Sequence, residues 1–158
     1  MSIEIKKCAV LGAGVMGAQI AGHIANAGIP SLLFDMNEDL AQRGVDGLTK
    51  LKPAPLFSPS NASLVMPCTY ENDMEKLKDC DLIIEAVAEK IEIKHAVYKN
   101  LLPYLKKGAI LASNTSGIPL ANLVEVLPED VQKSFLIAHF FNPPRYLKLL
   151  ELVKGEKI

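Results

Sequence analysis

Short unbroken apolar runs alternate along this chain with longer segments of helical spacing, and that alternation sets the expected elements. Lys7 to Leu11 is a short apolar run that ends in glycines, and Val15 to Ala27 is rich in Ala, Ile and small residues, so strand, tight turn and helix are predicted in that order. Ser31 to Phe34 supplies a second strand ending at Asp35. Asn37 then caps a helix through about Leu48, with Asp39 in its first turn. Between Leu51 and Ser63, Pro53, Pro55 and Pro59 break both periods and predict an ordered loop or crossing excursion, in preference to a domain boundary. A short strand is expected over Leu64 to Pro67 and Tyr70, near Glu71, and a brief helical turn over Met74 to Leu77. Asp81 to Val87 reads as a strand and Ile91 to Tyr104 as a helix, on which Ile93, Val97, Leu101 and Tyr104 recur near helical spacing and Pro103 kinks or ends the run. Ala109 to Ser113, Pro119 to Val126 and Phe135 to His139 continue as strand, helix and strand. Leu147 to Val153 is a final apolar, extended segment after Pro143 and Pro144. Such alternation predicts an α/β fold, with a doubly wound, mostly parallel sheet carrying helices on both faces.

Composition narrows the class without changing that picture. A chain of 158 residues fits one compact domain, taken as 1–158, able to bury roughly two-thirds of its extended surface without staples. With 49% hydrophobic residues, 22% charged residues and a net charge of -1, it reads as a soluble globular protein with no basic face for nucleic acid. Cys8, Cys68 and Cys80 lack metal-ligand spacing, so no metal is expected and buried thiols in a reducing compartment are. The opening Met1 to Lys7 carries no apolar leader, and no stretch reaches membrane-span length, which together predict a cytoplasmic protein, or one in an organelle matrix after removal of a leader.

Gly12-Ala13-Gly14-Val15-Met16-Gly17 satisfies G-x-G-x-x-G between a predicted strand and a predicted helix. Gly12 permits the tight turn, Gly14 leaves room for a pyrophosphate at the backbone, and Gly17 lets the helix pack on the sheet. The free N–H groups at the helix start, among them those of Val15 and Met16, can bind the phosphates. A Rossmann-type dinucleotide site follows. Asp35 ends the second strand about 20 residues later, the place for a carboxylate that accepts from ribose hydroxyls and repels a 2′-phosphate. NAD is therefore expected in preference to NADP, over roughly the first 115 residues.

Three further segments carry a more specific signal: Asp81-Leu82-Ile83-Ile84-Glu85-Ala86-Val87-Ala88-Glu89, Ser113-Asn114-Thr115-Ser116 and His139-Phe140-Phe141-Asn142-Pro143. Together with the glycine turn they closely resemble the 3-hydroxyacyl-CoA dehydrogenases across essentially the whole chain. Lys52-Pro53-Ala54-Pro55-Leu56, Ser116-Gly117-Ile118-Pro119 and Pro143-Pro144-Arg145-Tyr146-Leu147 resemble the long fatty-acid-oxidation proteins that also carry an enoyl-CoA hydratase module. The resemblance implies NAD-dependent oxidation of (S)-3-hydroxyacyl-CoA to 3-oxoacyl-CoA in fatty-acid beta-oxidation. His139 matches the catalytic histidine, a residue suited to taking the C3 hydroxyl proton. Glu151 matches its acidic partner, and Ser116 a serine that contacts substrate and assists polarisation of the reacting oxygen. Asn142 matches a position near the nicotinamide, and Glu89 and Lys94 match coenzyme-contacting positions.

Without the resemblance, the same residues have blander readings: His139 packed beside Phe140 and Phe141, Ser113 to Ser116 as a capped turn, and Glu89 and Lys94 at a helix start and on a helix surface. Gly117 stands where many relatives have a second serine, and the proline excursion alters the region of the CoA-binding lysines, leaving Lys50 and Lys52 as candidates for the CoA phosphates. The resemblance also implies a catalytic asparagine and a C-terminal helical domain beyond Ile158, so that the chain is expected to be truncated, to bind NAD with little turnover, and to come from a homodimer. A non-catalytic NAD-binding regulatory or interaction module is the alternative.

Overall fold

The computed structural model describes residues 2–156; Met1, Lys157 and Ile158, on which the expectations about a leader and a truncated end partly fall, lie outside them. Among the described residues seven strands form one sheet. In chain order they are β1 (Cys8–Leu11), β2 (Ser31–Asp35), β3 (Val65–Thr69), β4 (Leu82–Glu85), β5 (Ile110–Ser113), β6 (Phe135–Phe140) and β7 (Leu150–Lys154). Their order across the sheet is β3-β2-β1-β4-β5-β6-β7, with every neighbouring pair parallel except β6 and β7. The doubly wound expectation therefore holds, and the direction of winding reverses between β1 and β4, where ligands of such sheets bind.

Helices α1 (Val15–Asn26), α2 (Glu38–Gly47), α3 (Ile91–Leu101), α4 (Leu120–Leu123) and α5 (Glu129–Gln132) join the strands. Asn37 caps α2 as anticipated, its side chain accepting from Leu40 N at 2.9 Å. Pro103 ends α3 rather than kinking it, and Leu102–Tyr104 form a tighter turn. The single-turn helix α5 was not foreseen, although Pro128 followed by Glu129 and Asp130 is a start signal.

Each strand of the parallel part is covered on both faces. Val10, Leu33, Ile84 and Ala112 pack toward α1, against Ala18, Ile20, Ala21 and Ala25. Ala9, Leu11, Phe34, Ile83 and Leu111 pack on the opposite side, against Tyr98 and Leu101 of α3. That two-sided burial explains why the strands read as continuous apolar runs. The helical period of α3 holds, with Leu101 buried and Val97 packed against the core, whereas Ile93 is 40% exposed and the other buried positions are Lys94 and Tyr98. The apolar period misses Lys94 because its burial follows from a charge partner and not from hydropathy.

Gly12 and Gly17 are fixed by close backbone approaches. A Cβ at Gly17 would lie 1.7 Å from the Gly12 carbonyl oxygen, and one at Gly12, where φ is +107°, 2.5 Å from the Ala86 oxygen. Gly14 faces open space, with nothing within 4 Å of a Cβ. Gly17→Ala is therefore expected to lower stability by about 1–3 kcal/mol in urea denaturation through overpacking. Gly14→Ala should leave the midpoint close to wild type; equal losses in the two variants would contradict this packing.

Candidate functional site

The glycine turn and the end of β2 are tied to each other. Asp35 Oδ2 accepts from Ala13 N at 2.8 Å and Oδ1 from Met36 N at 2.7 Å, which holds the half-buried carboxylate at the mouth of the turn. Each oxygen keeps a lone pair for a further donor. The N-terminus of α1, at Gly14, has no side-chain cap. Its first N–H groups thus meet open space above Gly14, an arrangement suited to an anion. Val15 is 66% exposed at this edge, and Met16 lines the neighbouring cavity. These features fit a dinucleotide: open space at Gly14, a helix start with no side-chain cap and a carboxylate with lone pairs to spare.

Below the turn from β4 to α3 lies a buried charge network. Glu85, fully buried at the end of β4, receives Lys94 Nζ at 2.6 Å and Val87 N at 3.0 Å on one oxygen. Its other oxygen accepts from Tyr98 Oη at 2.7 Å and Ser113 Oγ at 2.6 Å. Lys94 is 1% exposed, which corrects the helix-surface reading. Its ammonium also reaches Val87 O at 3.4 Å and Glu89 at 3.3 Å. Glu89 in turn accepts from Thr115 Oγ1 at 2.7 Å, Ser116 N at 2.9 Å and Ser116 Oγ at 3.1 Å. Partial burial pushes the Glu89 carboxyl up, but the Ser116 N–H, the Thr115 hydroxyl and the Lys94 ammonium outweigh it and hold it down to about 2. The Ser113–Ser116 segment is thus both a capped turn and part of the site. As placed, Ser116 donates its proton to Glu89, so a role as donor to a reacting oxygen requires the hydroxyl to rotate.

His139 and Glu151 lie directly opposite each other in the antiparallel β6–β7 pairing. Nδ1 sits 3.5 Å from Oε1, and the imidazole stands against the Phe141 ring with centroids 4.7 Å apart. His139 is thus paired with Glu151 and, with its side chain 23% exposed, lies at the cavity and not in the core. With Nδ1 turned to the carboxylate, Nε2 is the nitrogen left to act as a base. His139, Ser116, Asn142, Glu89 and Lys94 all line one cavity of about 350 Å³, together with Met16 and Ala86 from the glycine-turn side. Asn114 lines it too and was not singled out from sequence; its Oδ1 accepts from Phe140 N at 2.8 Å, joining β5 to β6. Glu85 and Tyr98 were also missed, although a carboxylate interrupting the apolar run Leu82-Ile83-Ile84-Glu85-Ala86 was a visible signal.

Lys50 and Lys52 are not brought to this cavity. Both are exposed in the segment after α2. The proline excursion they enter is clamped to the loop after Asn142: Arg145 Nη1 donates to Ala54 O and Leu56 O at 2.9 and 2.8 Å, and its guanidinium lies over Phe57 at 4.7 Å. A second cavity, of about 490 Å³ and mainly apolar, opens beside Asp35 between Met36, Tyr70 and the outer face of α3. That is where Ile93 and Val97 go. The three cysteines are buried free thiols, and burial pushes Cys8 and Cys80 to about 12 and Cys68 to about 11. No helix among the described residues is long and apolar enough to cross a membrane.

A sequence model for the family described as "3-hydroxyacyl-CoA dehydrogenase, NAD binding domain" matches residues 7–158. A Deinococcus radiodurans protein named "Probable 3-hydroxyacyl-CoA dehydrogenase" is 46% identical over 98% of this chain and 47% of its own length. The "Fatty acid oxidation complex subunit alpha" of a Psychrobacter species is 36% identical over 98% of this chain and 22% of its own. The chain thus spans about half of the first relative and about a fifth of the second. Among solved structures, 3-hydroxybutyryl-CoA dehydrogenase from Escherichia coli superposes with a TM-score of 0.83 at 28% identity, over 98% of this chain and 33% of that one.

Two outcomes test the network. Lys94→Met leaves the Glu85 carboxylate buried without its cation and should cost about 3–5 kcal/mol in urea denaturation. Arg43→Ala, which removes an exposed pair with Asp39, should cost under about 1 kcal/mol. Glu89 is depressed from 4.5 to about 2, so its stabilisation is complete above the unfolded value and is lost as pH falls between the two. The stability gap between wild type and Glu89→Gln should accordingly hold steady above about pH 5 and close toward pH 2.

Proposed function

Because this chain belongs to the 3-hydroxyacyl-CoA dehydrogenase family, as its NAD-binding domain, we propose that its protein oxidises 3-hydroxyacyl-CoA to 3-oxoacyl-CoA in fatty-acid beta-oxidation. The observation that carries this reading is the meeting in one cavity of His139, backed by Glu151, and Met16 of the glycine turn. When bound, NAD supplies the hydride acceptor. Gly12, Gly14 and Gly17 with the α1 N-terminus would hold its phosphates, and Asp35 its adenosine ribose. The apolar cavity beside Asp35 would take the adenine.

His139 is the proton acceptor for the substrate C3 hydroxyl, through Nε2. Glu151 fixes the tautomer with the proton on Nδ1 and stabilises the imidazolium that forms. Glu89 and Lys94 hold the Ser116 turn against the cavity, where Ser116 and Asn142 orient the reacting groups. Lys50 and Lys52 remain candidates for the CoA phosphates, reached along the clamped excursion. The match to roughly a fifth of a fatty-acid-oxidation subunit supports a longer working protein, with a helical domain closing the acyl pocket. A hydratase module and a homodimer belong to the same proposal, as does a cytoplasmic setting, which suits three free thiols. The isolated 158 residues are then a coenzyme-binding unit with little turnover.

NADH formation from 3-hydroxyacyl-CoA thioesters of several chain lengths, measured on the complete gene product, tests the proposal. Activity is expected, with His139→Gln lowering kcat by about 10²–10⁴-fold. Unchanged turnover in that variant, or no activity with any acyl chain, would overturn it.

A further inference from the structure

The loop between β6 and β7 carries Asn142 to the wall of the His139 cavity, and the sheet does little to hold it there. Its own backbone bonds are internal, from Tyr146 N and Leu147 N to Pro143 O at 3.1 and 3.0 Å. Among the described residues, every hydrogen bond from residues 141–149 to the rest of the chain comes from Arg145 or Tyr146 and ends on the proline excursion. Arg145 Nη1 donates to both Ala54 O and Leu56 O, and Tyr146 Oη donates to Ala54 O at 2.5 Å. The guanidinium lies over two rings, 4.7 Å from the Phe57 centroid and 5.1 Å from that of Tyr146.

The excursion is itself fastened to the helix that starts at the glycine turn. Asn26, the last residue of α1, donates to Pro55 O at 2.9 Å and accepts from Phe57 N at 2.8 Å and Asn61 Nδ2 at 3.2 Å. Leu56 is buried in the same cluster as Ala18, Ile20, Ala21 and Ala25 of α1. A continuous path of contacts thus runs from α1 across the excursion to the Asn142 loop. Resting on the NAD reading above, we propose that Arg145 is a positioning residue for the reaction, its guanidinium fixing the Asn142 loop to the helix that holds the coenzyme phosphates. A planar guanidinium suits this task, because it donates in its plane while its faces meet aromatic rings. The segments Lys52 to Leu56 and Pro143 to Leu147 are then two halves of one device.

Steady-state kinetics on the complete gene product test the role, with Arg145→Met and the milder Tyr146→Phe beside wild type. Arg145→Met should lower kcat about 10–100-fold by letting the loop shift. The KM for NAD should stay near wild type, because Asp35 and the glycine cradle lie on other elements. Tyr146→Phe, which removes one bond of the clamp, should lower kcat by a smaller factor with the same split, and it carries the test if Arg145→Met does not fold. In the isotope-labelled chain, NAD should still shift the amides of Gly14 to Gly17 in Arg145→Met, while the response of Asn142 is lost. Wild-type kcat in both variants, or an Asn142 response that survives in Arg145→Met, would overturn the role. So would a KM for acyl-CoA that rises while kcat holds, which would make the guanidinium a substrate-binding charge. Failure of wild type to bind NAD or to turn over would instead overturn the functional reading on which the role rests.

Discussion

The ion pair between Glu85 and Lys94 holds together the parts of the molecule that face the cavity. Two opposite charges taken fully out of water pay a large desolvation cost, which is recovered only when every lone pair and proton finds a partner. Here the Glu85 carboxylate receives four donors, from Lys94, Val87, Tyr98 and Ser113. Those donors come from α3, from β5 and from the turn between β4 and α3. The pair therefore fixes three segments relative to the end of β4, and through Lys94 and Glu89 it reaches the Ser116 turn. A hydrophobic pair of similar volume would pack as well but would take away the ammonium that faces Glu89, the carboxylate holding that turn.

Around that pair the sheet brings two kinds of chemistry to one edge. The coenzyme side is built by parallel pairing, which places the ends of β1, β2 and β4 together where the winding reverses, so that Gly12 packs against Ala86 and Asp35 against Ala13. The other side, to which we assign the proposed proton transfer, is built by the antiparallel β6–β7 pairing, which sets Glu151 across from His139. Asn114 bonds β5 to the end of β6 and keeps the two sides in register. The clamp of Arg145 on the proline excursion extends the same edge outward, linking the loop after Asn142 to the segment after α2.

What could be read from the sequence was whatever a single residue type enforces locally. Glycines at 12, 14 and 17 answer to backbone approaches that no side chain permits, and the apolar runs answer to burial on both faces. Asn37 and Pro103 mark helix ends by the same local logic. His139, Glu151, Ser116 and Asn142 came from resemblance, and the structure gathers them around one cavity or its strand partner. Hidden from sequence was whatever depends on a distant partner. Lys94 looked like a surface residue because its counter-charge lies on another element, and the exposure of Ile93 was hidden because the cavity it lines is shaped by other elements. Glu85 and Asn114 take their meaning from neighbours supplied by other strands and turns.

The central claim is that the glycine cradle and the His139 cavity form one continuous coenzyme site. Titrating NAD into the isotope-labelled chain and following backbone amide resonances tests it most directly. The account predicts that Gly14 to Gly17, Met36, Ser116 and Asn142 shift together and fit one dissociation constant. Shifts confined to one end of that set, or a cradle that does not respond while the rest of the chain does, would contradict it.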